Sequence, residues 1–128
     1  MMIDDFVILK LSKLFTIISN EIRIKIIYAL MENESLTVTE LSQKIGVPQN
    51  TLSAHLKILT EGAYLLKEQK WRNIHYSIKE PKLKEILELG SLILFNKWEG
   101  NWEKIAEAKK KIEEINRNQK TELLKKAK

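Results

Sequence analysis

A short stretch of small polar side chains carries the clearest chemistry in this sequence. No carboxylate occurs between Gly46 and Thr60, and Leu52, Leu56 and Leu59 follow one another at helical spacing, which predicts a helix with one buried face. The outward positions hold amides, hydroxyls and one cation, at Gln49, Asn50, Thr51, Ser53, Ala54 and Lys57. Amides and hydroxyls can hydrogen-bond base edges in the DNA major groove, and lysine can bind phosphate or guanine. The alternative is a solvated helix, but such a helix more often carries Glu and Lys four residues apart.

The residues just before this stretch predict a second helix and a tight turn. Thr37 and Glu40 form a T-x-x-E capping box that can start a helix. Gly46 can end that helix at a positive φ, and Pro48 can open the next helix but cannot continue the previous one. Ser42 is small where the two helices must cross closely. Residues 36–59 therefore have the layout of a helix-turn-helix.

Two short runs of alternating residues follow and predict a β-hairpin. Residues 64–68 and 74–78 alternate apolar and polar side chains, as half-buried strands do. The tip between them contains Lys70, Trp71 and Arg72 but no glycine, which favours a longer loop over a two-residue primed turn. Beside a helix-turn-helix such a hairpin is a wing, whose basic tip can lie on the DNA backbone or enter the minor groove. Alternatively, the Trp71 ring lies over the sheet or in a dimer contact.

Apolar helices are predicted at both ends of the chain. Residues 3–18 have more apolar positions than one buried stripe needs, and residues 82–98 follow Pro81 as a long apolar helix. We expect these faces, and the helix that follows Gly100, to pack on each other or on a second subunit, through Phe6, Leu9, Leu14, Ile93, Trp98, Trp102 and Ile105. The fold class is mainly α with a small β-hairpin (α+β), a winged helix-turn-helix with extended C-terminal helices. Residues 1–100 form the DNA-binding and dimerisation domain, and residues 101–128 form a basic amphipathic helical extension.

Positive charge is concentrated in two segments of the chain. Residues 44–79 hold six Lys and Arg against two acids, and residues 101–128 hold nine against five, in a chain of 128 residues with a net charge of +5. Release of counterions makes a phosphate polymer the obvious partner of such segments. Because the first segment contains the groove-facing helix and the wing, double-stranded DNA is the expected partner.

Several function classes are excluded by what the sequence lacks. Cysteine is absent, so there is no disulfide, thiolate metal site or cysteine nucleophile. The sequence has no carboxylate pair beside a histidine, no Gly-rich phosphate loop and no G-x-S-x-G, so we expect neither an enzyme nor a cofactor. No run approaches the roughly 20 apolar residues that span a bilayer, and acids occupy the start of the chain. A cytoplasmic protein without membrane contact is therefore expected.

The order of elements and four motifs resemble the ArsR/SmtB-like transcriptional repressors. The motifs are F-T-I-I-S-N-E-I-R-I-K-I-I-Y-A-L at residues 15–30, L-T-V-T-E-L at 36–41, Q-N-T-L-S-A-H-L-K-I-L at 49–59 and I-H-Y-S-I at 74–78. The S-A-H-L segment is fairly specific in this register, and the resemblance covers about residues 6–98. It implies a winged-helix homodimer that binds palindromic operators.

Two departures from the family pattern affect the expected mechanism. Metal-sensing members carry two cysteines where this chain has Thr37 and Thr39, and no histidine follows His75 to supply a ligand on a terminal helix. Metal sensing is therefore not expected. In addition, Gly62 and Ala63 reverse the family's usual Ala-Gly order, which predicts either strain at Ala63 or a helix end shifted by one residue.

Two functions from different classes follow from these observations. The leading prediction is a sequence-specific DNA-binding transcriptional regulator, a repressor that acts as a homodimer. It would use the recognition-helix residues above, His55 as a packed or phosphate-contacting residue, and the wing tip. The alternative is a winged-helix module for protein assembly that works through its terminal helices, including Trp98 and Trp102, without sequence-specific DNA binding.

Overall fold

The computed structural model describes residues 3–97 and 102–126, which form a winged helix-turn-helix with extended terminal helices. In chain order its elements are α1 (Asp5–Ile18), α2 (Glu21–Glu32), β1 (Leu36–Thr37), α3 (Val38–Ile45), α4 (Gln49–Glu61), β2 (Leu65–Lys70), β3 (Asn73–Ile78), α5 (Lys82–Lys97) and α6 (Trp102–Lys126). This architecture is mainly α with a small antiparallel sheet, which confirms the predicted fold class. Within the described residues, none of the helices combines enough length and apolar character to cross a bilayer.

One hydrophobic core lies between the helix-turn-helix, α2 and the sheet. Buried aliphatic side chains from each of these elements meet there, and several are completely inaccessible to solvent. The core contains Ile18, Ile26, Ile27, Ala29, Leu30, Leu36, Leu41, Val47, Leu52, Leu56, Leu59, Leu65 and Leu83. Because α4 contributes Leu52, Leu56 and Leu59 from one face, its opposite face must point outward.

The turn between α3 and α4 forms from the local signals in the sequence. Thr37 caps α3 and forms a complete capping box with Glu40. Gly46 ends α3 in the left-handed conformation, with φ 71°, and its N–H donates to the Ser42 carbonyl. The buried Ser42 hydroxyl donates to the Val47 carbonyl at 2.7 Å, so a small polar residue links the end of α3 to the turn.

The wing differs from its prediction in two ways. First, β1 adds a third strand, so the sheet order is β1-β3-β2, with Leu36 paired to Tyr76. Second, the expected long loop is wrong: Lys70 pairs with Asn73, which leaves only Trp71 and Arg72 as the connection. Trp71 has φ 58°, the left-handed value that a two-residue turn demands at its first position, normally from glycine. The two strands therefore pair up to Lys70 and Asn73, although the tip has no glycine to favour so short a turn.

At the end of α4, Ala63 has a strained backbone conformation, and the preceding Gly62 has little room for a side chain. Ala63 has φ 63°, and the Tyr64 N–H donates to the Leu59 carbonyl, which closes the helix end as a Schellman motif. The helix end is therefore not shifted, and Ala63 is strained. Gly62 has an ordinary φ of −76°, but a Cβ there would lie 2.6 Å from the Tyr64 ring. Glycine at position 62 therefore leaves room for that ring.

Replacing Ala63 by glycine is expected to raise the free energy of unfolding by about 1 kcal/mol. The left-handed conformation costs an L-residue about 1–2 kcal/mol, and the greater freedom of glycine in the unfolded chain offsets part of that gain. Urea denaturation measures the difference. The control Gly62→Ala should destabilise the protein because the Tyr64 ring must move. Unchanged or lower stability in Ala63→Gly would contradict the assignment of strain to this residue.

The terminal helices leave large apolar side chains exposed. On α1 only Ile18 is buried, and on α5 only Leu83 is buried. Phe6, Leu9 and Ile93 are 65%, 52% and 58% exposed, while Leu14 and Ile105 are partly covered. Trp98 lies outside the described residues, and although Trp102 begins α6, its side chain is also outside them. The described part of the predicted interface is therefore an open apolar surface.

Candidate nucleic-acid interface

The outward face of α4, which we call the recognition face, consists mainly of side chains exposed to solvent. It comprises Gln49, Asn50, Thr51, Ser53, Ala54 and Lys57, all exposed except the half-buried Thr51. The first turn of α4 contains no acid, and no side chain caps its N-terminus. The positive end of the helix dipole favours an anion such as phosphate there. The recognition face therefore combines base-reading groups with an electropositive end.

Three of these side chains form hydrogen bonds within the helix-turn-helix. The Gln49 amide donates to the Thr39 hydroxyl at 3.2 Å, and the Ser53 hydroxyl donates to the Gln49 carbonyl at 2.9 Å. The Asn50 amide oxygen accepts from the Thr51 N–H at 2.9 Å. Lys57 is 4.0 Å from Glu61, and both side chains are largely exposed, so this ion pair contributes little. These bonds orient the amides while leaving them at the surface.

Arg23 connects α4 to the first two helices, a role that the sequence motifs did not reveal. Its Nε donates to His55 Nδ1 at 3.2 Å, and its Nη1 donates to the Ile17 carbonyl at 2.8 Å. Because Nδ1 accepts this bond, His55 must be neutral when it forms. Burial and then the positive charge of Arg23 lower the pKa of His55 below its ordinary value of 6.5. His55 therefore helps to position α4, and a direct phosphate contact by it stays a prediction.

The lowered pKa of His55 predicts acid-sensitive stability. Between that lowered pKa and 6.5 the unfolded chain binds more protons than the folded protein, so the free energy of unfolding rises with pH across this interval. Stability present above pH 6.5 should consequently be lost as the pH falls. Urea denaturation at closely spaced pH values measures this slope.

The variant His55→Gln should flatten this part of the pH profile because glutamine does not titrate. The matched control His75→Gln removes the other histidine but leaves the bond between Arg23 and His55 in place, so it should keep the slope. A profile that His55→Gln leaves unchanged would rule out His55 as its source.

The wing tip presents a cation stacked on an exposed aromatic ring. The Trp71 ring is 82% exposed, so it does not lie over the sheet, and the Arg72 guanidinium is 4.7 Å from the ring centroid. Lys70, at the end of β2, is also exposed. Stacking restricts the arginine without burying its charge. This tip has the charge and shape for contact with a DNA backbone or minor groove.

Both threonines at the positions of the family's cysteines have structural roles. Thr37 caps α3, and Thr39 accepts the hydrogen bond from Gln49. Neither side chain is a ligand that a soft or borderline metal prefers. In residues 3–97 and 102–126, moreover, no three acidic or histidine side chains are gathered as a metal site would require.

The C-terminal half of α6 lies beside the helix-turn-helix, which sequence periodicity alone did not indicate. A cavity of about 770 Å³ separates the two parts, with Lys120, Leu123 and Leu124 on the α6 side. Its opposite wall includes Gln49 and Asn50 of the recognition face. A second cavity of about 380 Å³ lies between the same half of α6 and the turn.

Comparison with known proteins agrees with this geometry. The family described as bacterial regulatory protein, arsR family, matches residues 20–62. The transcriptional repressor PagR of Bacillus anthracis is 32% identical over 78 residues, which cover 61% of this chain and 78% of PagR. The transcriptional activator HlyU of Vibrio cholerae is 31% identical over 71 residues, or 56% of this chain and 65% of HlyU.

Solved structures of such regulators have the same fold. The crystal structure of the antimony-specific transcriptional repressor AntR superimposes with a TM-score of 0.68 and 29% identity, over 77% of this chain and 88% of AntR. The crystal structure of PagR gives a TM-score of 0.59 and 29% identity, over 67% of this chain and 98% of PagR. The chain therefore belongs to the arsR family of bacterial regulatory proteins, and it is a DNA-binding transcriptional regulator, not an enzyme.

Proposed function

We propose that this regulator is a homodimeric repressor that reads a palindromic operator without sensing a metal. In this proposal residues 1–100 bind DNA and dimerise, and residues 101–128 are a helical extension. The observation that carries it is the recognition face, an exposed helical surface without carboxylates that bears two oriented amides. A helix of this kind fits the major groove, where amides can bond adenine and lysine can bond guanine or phosphate.

The recognition face and the wing tip have different roles in this proposal. Gln49 and Asn50 read base edges, supported by Thr51, Ser53 and Ala54, while Lys57 binds a flanking phosphate. Lys70, Trp71 and Arg72 contact the backbone or the minor groove, where an exposed cation adds affinity but little sequence information. His55 acts by holding the helix through Arg23.

Dimerisation through α1 and α5 is supported by the apolar side chains that these helices expose. Phe6, Leu9 and Ile93 would otherwise remain largely in water, in addition to exposed Leu89 and Leu92 on α5. Apolar groups on two long helices can supply the core of a two-fold interface. A dimer would then present two recognition faces, which explains why the operator should be a palindrome.

Independence from metals is supported by the donor set. The sequence has no cysteine, and the two threonines at the family's cysteine positions are engaged in the capping box and in the bond to Gln49. Repression follows by analogy with the relative PagR, whose name describes a repressor.

Selection of bound sequences from a random DNA pool tests the proposal. We expect enrichment of two inverted half-sites whose centres are separated by about one helical turn or a multiple of it. A single enriched half-site would contradict the dimer, and equal recovery of all sequences would contradict base reading by the recognition face. Adding zinc or cadmium during selection should leave the enriched sequences and the affinity unchanged.

Lys70→Ala is expected to weaken binding to every duplex alike and to reduce its salt dependence. Each phosphate contact contributes about 0.9 to the slope of log K against log salt concentration, so loss of one contact per subunit should reduce the slope of a dimer by about 2. Fluorescence anisotropy with labelled DNA at several salt concentrations measures this slope.

The matched control for this variant is Lys84→Ala. Lys84 is an exposed lysine at the start of α5, outside both the recognition face and the wing, so its loss should leave the slope close to the native value. Equal slopes for the native protein and Lys70→Ala would exclude a phosphate contact at the wing tip.

A further inference from the structure

The position of α6 conflicts with insertion of the recognition face into DNA. The helix packs on α3, and five residues of its C-terminal half line the cavity beside the turn. These residues are Ile115, Asn118, Glu122, Leu123 and Lys126. Leu123 lines both cavities, and across the larger one lie Gln49 and Asn50. The two amide side chains that should read bases are exposed, but they border a cavity whose other wall is a helix of the same chain.

The size of the DNA major groove does not allow it to receive α4 and α6 together. A helix with its side chains is about 10–12 Å wide, and the major groove is about 12 Å wide, so the groove accepts one helix but not two side by side. Because α6 packs on α3 and borders the same cavity as the N-terminal end of α4, the part that penetrates a groove most deeply, DNA that receives this end would meet α6 unless the helix moved.

The contact made by α6 is loose enough to be displaced. No residue of α6 is fully buried where its side chains are described, Ile115 and Leu124 are 55% and 63% exposed, and cavities remain beneath the helix. Little apolar surface therefore holds it in place. A helix held this weakly can lower the population of the DNA-competent form without abolishing binding.

We propose that α6 is an autoinhibitory helix, which borders the N-terminal end of the recognition face and must move away when DNA binds. This inference depends on the proposed role of that face. Apparent affinity for DNA falls in proportion to the fraction of molecules in which α6 is displaced. Any interaction that displaces α6 would increase affinity for the operator. The helix could therefore regulate DNA binding without a metal.

The first test weakens the contact without changing charge. Leu123→Gln should bind the selected operator about 3- to 10-fold more tightly than the native protein, since partial loss of one leucine contact shifts the open fraction by that order. Ala108→Gln introduces the same side chain at an exposed position of α6 that lines neither cavity, so it should bind as the native protein does. Affinity equal to or weaker than native in Leu123→Gln would overturn the proposal, because α6 would then be neutral or would contact DNA itself.

A second test reports the position of α6 without relying on affinity. Because the chain has no cysteine, Leu123→Cys and Ala108→Cys each provide a single thiol. In the free protein, maleimide should label the thiol at position 123 several-fold more slowly than the thiol at position 108, and operator DNA should remove this difference. Equal rates without DNA, or further protection upon DNA binding, would overturn the proposal.

The two readouts separate failure of this inference from failure of the proposed function. If the native protein and Leu123→Gln both showed no preference for any sequence, base reading would fail, while slow labelling at position 123 would still place α6 over α4. If an operator were bound with half-site preference but labelling rates were equal, the DNA-reading role would stand and autoinhibition would fail.

Discussion

Replacing Leu9 by glutamate should convert the proposed homodimer into monomers. Leu9 is 52% exposed on α1, in the apolar surface that we assign to the subunit contact. Complete burial of a leucine side chain contributes about 1.5–3 kcal/mol, of which about half is still to be gained at Leu9, and a two-fold axis makes each substitution count twice. The loss of about 1.5–3 kcal/mol corresponds to dimerisation weakened about 10- to 10²-fold, with the desolvation of two carboxylates adding to it.

Sedimentation equilibrium over a range of protein concentrations measures this effect. The control Leu66→Glu places the same charge on an exposed leucine of β2, outside α1 and α5, and should leave the association constant unchanged. If Leu9→Glu remained a dimer of native affinity, the interface would have to lie elsewhere on the molecule.

Gln49→Ala and Asn50→Ala should each remove most of the preference for the operator over random duplex. A good base contact is worth about 1–3 kcal/mol of discrimination, and each is made twice by a dimer on two half-sites. We therefore expect the ratio of specific to nonspecific affinity to fall at least about 30-fold, while affinity for random duplex changes little. Competition binding with operator and random DNA at fixed salt concentration measures this ratio.

Gln43→Ala is the matched control for the recognition face. It removes another exposed amide, from α3 and outside that face, and should preserve the ratio of specific to nonspecific affinity. Should all three variants retain the native ratio, sequence would be read by other residues, and the assignment of Gln49 and Asn50 would be wrong.

Much of the candidate interface could be predicted because its cues are local. The three leucines of α4 repeat at helical spacing, so the exposed set follows from geometry alone, and the structure places it outward. The link from Arg23 to His55 joins residues 32 positions apart and could not be read from spacing. Nor could the bond from Gln49 to Thr39, which depends on how α3 and α4 pack.

The sequence by itself determined the helix-turn-helix, since each boundary rests on a residue's own conformational preference. Thr37 and Glu40 start α3, and Gly46 ends it with a positive φ. The tertiary structure decided the wing turn and the place of α6. Strand pairing from Lys70 to Asn73 imposes a positive φ on Trp71 that no local preference favours. The apolar side chains of α6 could pack on any complementary surface, because hydrophobic attraction has no direction, and only the assembled fold makes α3 and the start of α4 their neighbours.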